Sequence, residues 1–259
     1  MAEPRSVLIT GASSGIGEAL ALAYAGSGVS LSLTGRDPER TEAIRAACAA
    51  KGASARARVL DVADAAAMAA WLAFEETTAP PDLVIANAGI SAGTGGGGES
   101  AEQARRIMAI NVEGVFNTVL PAIEHMKARR PDARGRRGQI AIMSSLASFR
   151  GFPGAPAYCA SKAAVRVWGE GLRGEMSRYG IAVSVICPGY VRSRMTEKNR
   201  FPMPFLMDAE RAAAIVKRGL ERDRPRISFP WQMAALVWLL AALPPRATDR
   251  VLRRLPKKE

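Results

Sequence analysis

Tyr158 and Lys162 stand four residues apart in the run YCASK, inside a stretch that reads as a helix, so phenol and ammonium lie one turn apart on one face. A phenol titrates near 10. Using it as a proton donor and acceptor near neutrality takes about 3 pKa units, roughly 4 kcal/mol, of stabilisation of its anion. An ammonium one turn away supplies part of that through opposite charge. Ser145, the second serine in IAIMSSLAS, ends an apolar run and offers a hydroxyl to an oxygen on which negative charge develops. Together the three describe acid/base chemistry at a carbon–oxygen bond. Taken singly, each reads as readily as a solvated helix pair or a helix cap.

A second group of residues is built to approach an anion. In TGASSGIG, Thr10 to Gly17, the glycines Gly11, Gly15 and Gly17 fall where a strand turns into a helix, with Ser13, Ser14 and Ile16 between them. Without Cβ atoms they let backbone N–H groups and the positive helix end face a pyrophosphate. The spacing is G-x-x-x-G-x-G, which differs from the G-x-G-x-x-G dinucleotide fingerprint. The next apolar run ends at Gly35 and Arg36, where an acidic residue would select ribose hydroxyls; a guanidinium forks instead onto a 2′-phosphate. Ser13 is an additional donor there. Asp37, followed by Pro38 and Glu39, reads as a helix N-cap. Asp61 and Val62 follow the third run, placed to meet an adenine edge, and Asn87, Ala88 and Gly89 close the fourth.

The elements that must hold these residues alternate along the chain. Ser6–Thr10, Val29–Thr34, Ala55–Leu60, Leu83–Asn87, Gln139–Ser144 and Ile181–Cys187 read as six strands separated by helical stretches. Mostly apolar runs of this kind predict a single α/β domain over residues 1–259, a Rossmann-like doubly wound parallel sheet whose ligands bind beyond the carboxyl ends of its strands. Residues 222–259 read as a hydrophobic and basic C-terminal extension. His125, the only histidine, lies in a helical run away from every strand tip, and Cys48, Cys159 and Cys187 are too widely spaced for a disulfide framework or a metal site. No metal is expected, and a reducing cytoplasm is. The formal charge of +12 is scattered and mostly Arg, without aromatic interleaving or a DNA-binding module, so no nucleic-acid partner is expected.

With TGASSGIG, the NAG of Asn87–Gly89, Asn111 in INVEG, Ser145, YCASK and the PGYVRS of Pro188–Ser193, the sequence resembles the short-chain dehydrogenase/reductase family, in order from about Ser6 to about Glu221. The resemblance implies hydride transfer between a nicotinamide and an alcohol or carbonyl carbon. It implies Tyr158 as acid/base, Lys162 lowering the phenol's pKa and holding the ribose, Ser145 orienting the carbonyl and Asn111 anchoring a relay water. Pro188, Gly189, Val191 and Ser193 fall in the family's coenzyme segment, Val191 and Ser193 at the carboxamide. Members preferring NADP often carry a basic residue where Ser14 stands, so NADP(H) as the coenzyme rests on Arg36. Homodimers or homotetramers built on the Tyr158 helix are implied, with Gly169 and Gly171 permitting close packing.

The substrate expected is a small molecule, an apolar ketone or aldehyde, because Phe201, Met203, Phe205, Leu206 and Met207 follow the coenzyme segment. The alternative from another class is a non-catalytic NADP(H)-binding sensor or scaffold. Trp231–Leu243, WQMAALVWLLAAL, is an apolar run between basic flanks and too short to span a bilayer. It is expected either to pack on protein or to make a peripheral contact with the inner face of a membrane.

Overall fold

The computed structural model describes residues 3–92, 98–197, 201–244 and 246–248. Six apolar runs form strands within one residue of their expected limits: β1 (Ser6–Thr10), β2 (Ser30–Gly35), β3 (Ser54–Val59), β4 (Leu83–Ala86), β5 (Gly138–Met143) and β6 (Ile181–Pro188). A seventh, β7 (Arg226–Phe229), falls inside the stretch read as a C-terminal extension. It pairs in parallel with β6, Ile227 against Ile186 and Phe229 against Pro188. The sequence reading missed it because RISF is four residues long and alternates, which carries little signal beside a longer apolar run. The sheet is parallel throughout, in the order β3-β2-β1-β4-β5-β6-β7.

The helices are α1 (Gly15–Tyr24), α2 (Pro38–Ala50), α3 (Ala65–Thr78), α4 (Ala101–Met108), α5 (Gly114–Ala128), α6 (Pro156–Ser177), α7 (Arg194–Glu197), α8 (Ala209–Glu221) and α9 (Trp231–Ala242). Because successive strand residues point to opposite faces, each central strand feeds two cores. Val7 and Ile9 pack with Leu20 of α1, Ile44 of α2 and Val216 of α8, while Leu8 packs with Trp71 of α3, Val119 of α5 and Val165 of α6. The edge strand β3 departs from the expected two-sided burial, since Arg56 and Arg58 leave it half-exposed to exposed. The order in which strands are added reverses between β1 and β4, and there a doubly wound sheet opens its ligand crevice. No helix among the described residues is long and apolar enough to cross a membrane. Gly93 to Gly97 of the glycine loop, Arg200 and the basic residues beyond Thr248 lie outside the described residues.

One buried polar cluster ties the β2–β3 edge to α3. Glu75, 2% exposed, accepts from Ser32 Oγ at 2.6 Å, Arg56 Nη2 at 2.7 Å and Trp71 Nε1 at 3.2 Å. Glu75→Ala strips three donors of their acceptor and is expected to cost about 3 kcal/mol in urea unfolding. A loss below about 0.5 kcal/mol would show that the cluster does not hold this edge.

Candidate active site

The nucleotide side of the crevice starts at a seam between β1 and β4. Thr10 Oγ1 accepts from the N–H groups of Asn87 at 3.1 Å and Ala88 at 3.2 Å, and Asn87 Nδ2 donates to the carbonyls of Thr10 and Gly11, both at 3.0 Å. This stitching brings the glycine turn so close to β4 that a Cβ on Gly11 would stand 2.7 Å from Ala88 Cα. Gly11 and Gly15 also adopt φ of +65° and +57°, where a side chain is strained. Helices α2, α3 and α4 begin at side-chain caps from Asp37, Asp64 and Ser100, but Ser14 makes no such bond at the start of α1. The first-turn N–H groups of α1 therefore face the crevice without a side-chain acceptor, a cradle that fits a pyrophosphate.

At the tip of β2, a Cβ on Gly35 would meet Ser13 Oγ at 2.7 Å, so Ser13 lies over Gly35 and next to the place where Arg36 leaves the strand. Arg36 is exposed and, among the described residues, in no ion pair. Asp37 is engaged elsewhere: it caps α2 through Arg40 N at 3.1 Å and pairs with the Arg40 guanidinium at 2.8 Å. Asp61 turns back to accept from Ala63 N at 3.0 Å, and Val62 offers its carbonyl to Asn117 at 2.9 Å while its side chain packs against Gly114. Pro188 ends β6, Gly189 N donates to Phe229 O at 2.7 Å, and Ser193 N donates to Thr196 Oγ1 at 2.9 Å. Val191 forms a parallel bridge with Met207, which is buried in the core. Met207 is thus taken out of the apolar mouth to which the sequence reading assigned it.

The reacting side of the crevice is assembled from β5, β6, α6 and the segment joining α4 to α5. Lys162, buried, donates from Nζ to Met143 O at 2.9 Å, and a Cβ on Gly89 would lie 3.1 Å from the same nitrogen. Ser145 accepts from Ala147 N at 3.1 Å and donates toward Pro188 O at 3.5 Å, and its hydroxyl acts to lower the Tyr158 phenol. Asn111 sits in a π-helical turn, Ala109–Glu113, between α4 and α5. Its side chain accepts from Ile90 N at 2.8 Å and donates to Ile90 O at 2.9 Å and Ser161 Oγ at 3.0 Å. His125 lies in the last turn of α5, outside this set.

The short chain dehydrogenase profile matches residues 5–203. The chain belongs to that family. It is an oxidoreductase of a group whose members bind a nicotinamide coenzyme. An uncharacterized oxidoreductase of Myxococcus xanthus is 37% identical over 252 residues, 97% of each chain. A short-chain dehydrogenase from Sphingobium yanoikuyae, solved in complex with NADPH, superposes with a TM-score of 0.78 at 26% identity, covering 98% of this chain and 97% of that one. The fold is also that of a short-chain dehydrogenase/reductase from Burkholderia phymatum in complex with NAD, with a TM-score of 0.82 at 24% identity over 100% and 99% of the two chains.

In this short-chain dehydrogenase the electrostatics differ from the simple expectation of a phenol depressed by its lysine. Burial pushes the Tyr158 phenol up, opposed by the hydrogen bond from Ser145, and burial pulls Lys162 down from 10.5 to about 8. Each group moves toward its neutral form, because both leave water and Lys162 hydrogen-bonds a carbonyl rather than the phenol. Sequence reasoning also missed two residues at the site. Tyr190, in PGYVRS, is half-buried, stacks edge-on against Phe201 at 6.1 Å and bears electrostatically on Tyr158. Glu99 accepts from Ala157 N at 3.0 Å and so caps the helix that carries Tyr158. Tyr190 could have been found from its place inside a motif already singled out, whereas nothing local marks Glu99.

The Lys162 shift has a sign that can be checked. Between pH 8 and 9 the unfolded chain keeps the lysine proton that the folded chain gives up, so unfolding takes up protons and stability rises with pH. Above about 9 the buried thiols of Cys48 and Cys187, each raised from 9.0 to about 11, act in the opposite sense. In the coenzyme-free protein the gain from pH 8 to 9, measured by urea unfolding, should exceed that of Lys162→Met by about 1 kcal/mol. Equal gains in the two proteins would refute the lysine assignment.

Proposed function

We propose that the chain is an NADP(H)-dependent oxidoreductase acting on an apolar ketone or aldehyde and the corresponding alcohol. The observation that carries this reading is the placement of Ser145 and Tyr158 beside buried Lys162, at the carboxyl ends of β5 and β6. When bound, the coenzyme supplies or accepts the hydride. Tyr158 does the proton chemistry: burial keeps its phenol protonated across neutral pH, so it begins as the acid that gives a proton to the carbonyl oxygen. Ser145 holds that oxygen through its hydroxyl as charge develops. Lys162, near 8, is mostly protonated at pH 7, steadies the phenolate left behind and binds ribose hydroxyls. Asn111 fixes the loop after β4 through Ile90 and anchors the relay water.

For the coenzyme, Gly11, Ser14, Gly15, Ile16 and Gly17 take the pyrophosphate, Asp61 and Val62 the adenine, and Asn87, Ala88 and Gly89 the inner ribose side. Pro188, Gly189, Val191 and Ser193 take the carboxamide end. Preference for NADP(H) is supported by the free guanidinium of Arg36 beside Ser13, and by the capture of Asp37 in a helix cap, which removes the nearest carboxylate from the ribose. An apolar substrate is supported by Tyr190, Phe201 and exposed Phe205 in the segment that follows β6. The three cysteines are free and buried, which suits a reducing cytoplasm.

A homo-oligomer through α6 is supported by an outward stripe of Ala160, Ala164, Val167, Gly171 and Gly174 at helical spacing. Gly169 has another role from the one expected. A Cβ there would stand 2.7 Å from Val185, so it seats α6 on its own sheet, while Gly171 faces open space.

Oxidation of NADPH across a set of apolar and polar ketones and aldehydes tests the reaction class. Tyr158→Phe should bind NADPH within about twofold of the parent and lose at least about a hundredfold in kcat, since only the proton donor is removed. Undiminished turnover would reject Tyr158 as the acid, and no turnover with any carbonyl in the parent would favour the sensor reading. Arg36→Asp should move the NADPH-to-NADH ratio of kcat/KM toward NADH by at least about tenfold. An unchanged ratio would place the selectivity on another residue.

A further inference from the structure

We propose that the outer face of α9 docks the protein on an anionic lipid surface, with the helix lying in the headgroup region. Helix α9 has two unlike sides in position though not in chemistry. Met233, Ala234 and Val237 turn inward onto Leu146, Val185 and Cys187. Trp231, Ala235, Trp238 and Ala242 recur at i, i+4, i+7 and i+11 along the outward side, with Leu239 beside them. Trp231 is 73% exposed and Trp238 64% exposed, and Leu236 and Leu239 are more than half exposed. The structure buries one side of this apolar run and leaves the other as an apolar stripe without a partner among the described residues.

Charge decides what covers that stripe. The helix itself carries none, and Gln232 is its only polar side chain. Residues 222–259 contain nine Arg and Lys against three Asp and Glu, a formal +6, which is half of the chain's +12 in 38 of its 259 residues. Among the described ones, Arg222, Arg224 and Arg246 are exposed and in no ion pair, whereas Asp223 is held by Arg173 at 2.8 Å. A second copy laid on the same face would bring like charge against like charge. It would also have to be held by one side of a helix about 18 Å long, well short of the roughly 800 Å² per partner of a stable interface. An anionic bilayer meets both features at once: phosphate headgroups take the guanidinium groups of Arg222, Arg224 and Arg246, and the two tryptophans sit at the depth where amphipathic rings partition. At about 18 Å the helix is too short to cross a hydrocarbon layer of about 30 Å, so it lies in the plane of the surface.

Flotation of the full-length protein with vesicles tests the proposal, using phosphatidylglycerol mixed with phosphatidylcholine, and phosphatidylcholine alone. The protein should float with the anionic vesicles at low salt and at least about tenfold less at 0.5 M salt or with neutral vesicles. The double variant Trp231→Ser/Trp238→Ser should bind anionic vesicles at least about tenfold more weakly while keeping its thermal unfolding midpoint and coenzyme binding. Absence of flotation with anionic vesicles at low salt would overturn the proposal. So would undiminished flotation of the double variant, which would assign binding to charge alone. Light scattering of the double variant closes the remaining route: a smaller assembly than that of the parent would make this face an interface between copies.

Discussion

Where two neighbouring parallel strands send their chains to opposite sides, the backbone at their carboxyl ends lacks the cover that a continuing element would give. In this chain that happens between β1 and β4, and the carbonyls of Thr10 and Gly11 are satisfied there by a single side chain, Asn87. Thr10 returns the contact by accepting from two backbone N–H groups after β4. The rest of the nucleotide side follows from this seam. It draws the glycine turn against Ala88, which excludes a Cβ at Gly11, and it aims an uncapped helix start into the crevice. Ala12 N bonds Thr34 O at 2.9 Å, so the same turn also sets where β2 ends and Arg36 emerges.

The reacting side depends on a different constraint, the cost of taking charge out of water. Lys162 is buried and tied to a backbone carbonyl, and burial raises the Tyr158 phenol, so without coenzyme both groups are shifted toward their neutral forms, the phenol staying protonated while the lysine, near 8, still carries most of its charge at pH 7. This arrangement favours a phenol that begins as a proton donor. Asn111 contributes by order and not by charge: with its amide bonded on both sides to Ile90 and to Ser161 on α6, it fixes the loop after β4 to the helix that carries Tyr158 and Lys162.

At the other end of the sheet, β7 and α9 turn what reads as an appendage into part of the domain. Ile227 and Phe229 enter the core and α9 covers the end of β6, with Met233 against Gly189 beside the reacting crevice. One helix thus joins the coenzyme segment to an apolar outer surface, a coupling of site and surface that spacing along the chain does not express.

Much of this protein was legible in the residues themselves. Apolar runs separated by helical stretches dictate a parallel doubly wound sheet, because only burial on both faces accommodates them, and such a sheet makes strand tips the place to look for Gly11, Arg36 and Ser145. The cap at Asp37 was readable because capping is a contest among adjacent residues. What the tertiary structure decided is long-range. Glu75 meeting Ser32 and Arg56, Glu99 capping α6, Gly169 facing the sheet and Met207 sinking into the core all join parts far apart in sequence, where local patterns carry no information. Protonation belongs to the same class: a Tyr and a Lys four residues apart announce chemistry, but the direction in which each titrates is set by how much water the surrounding elements exclude.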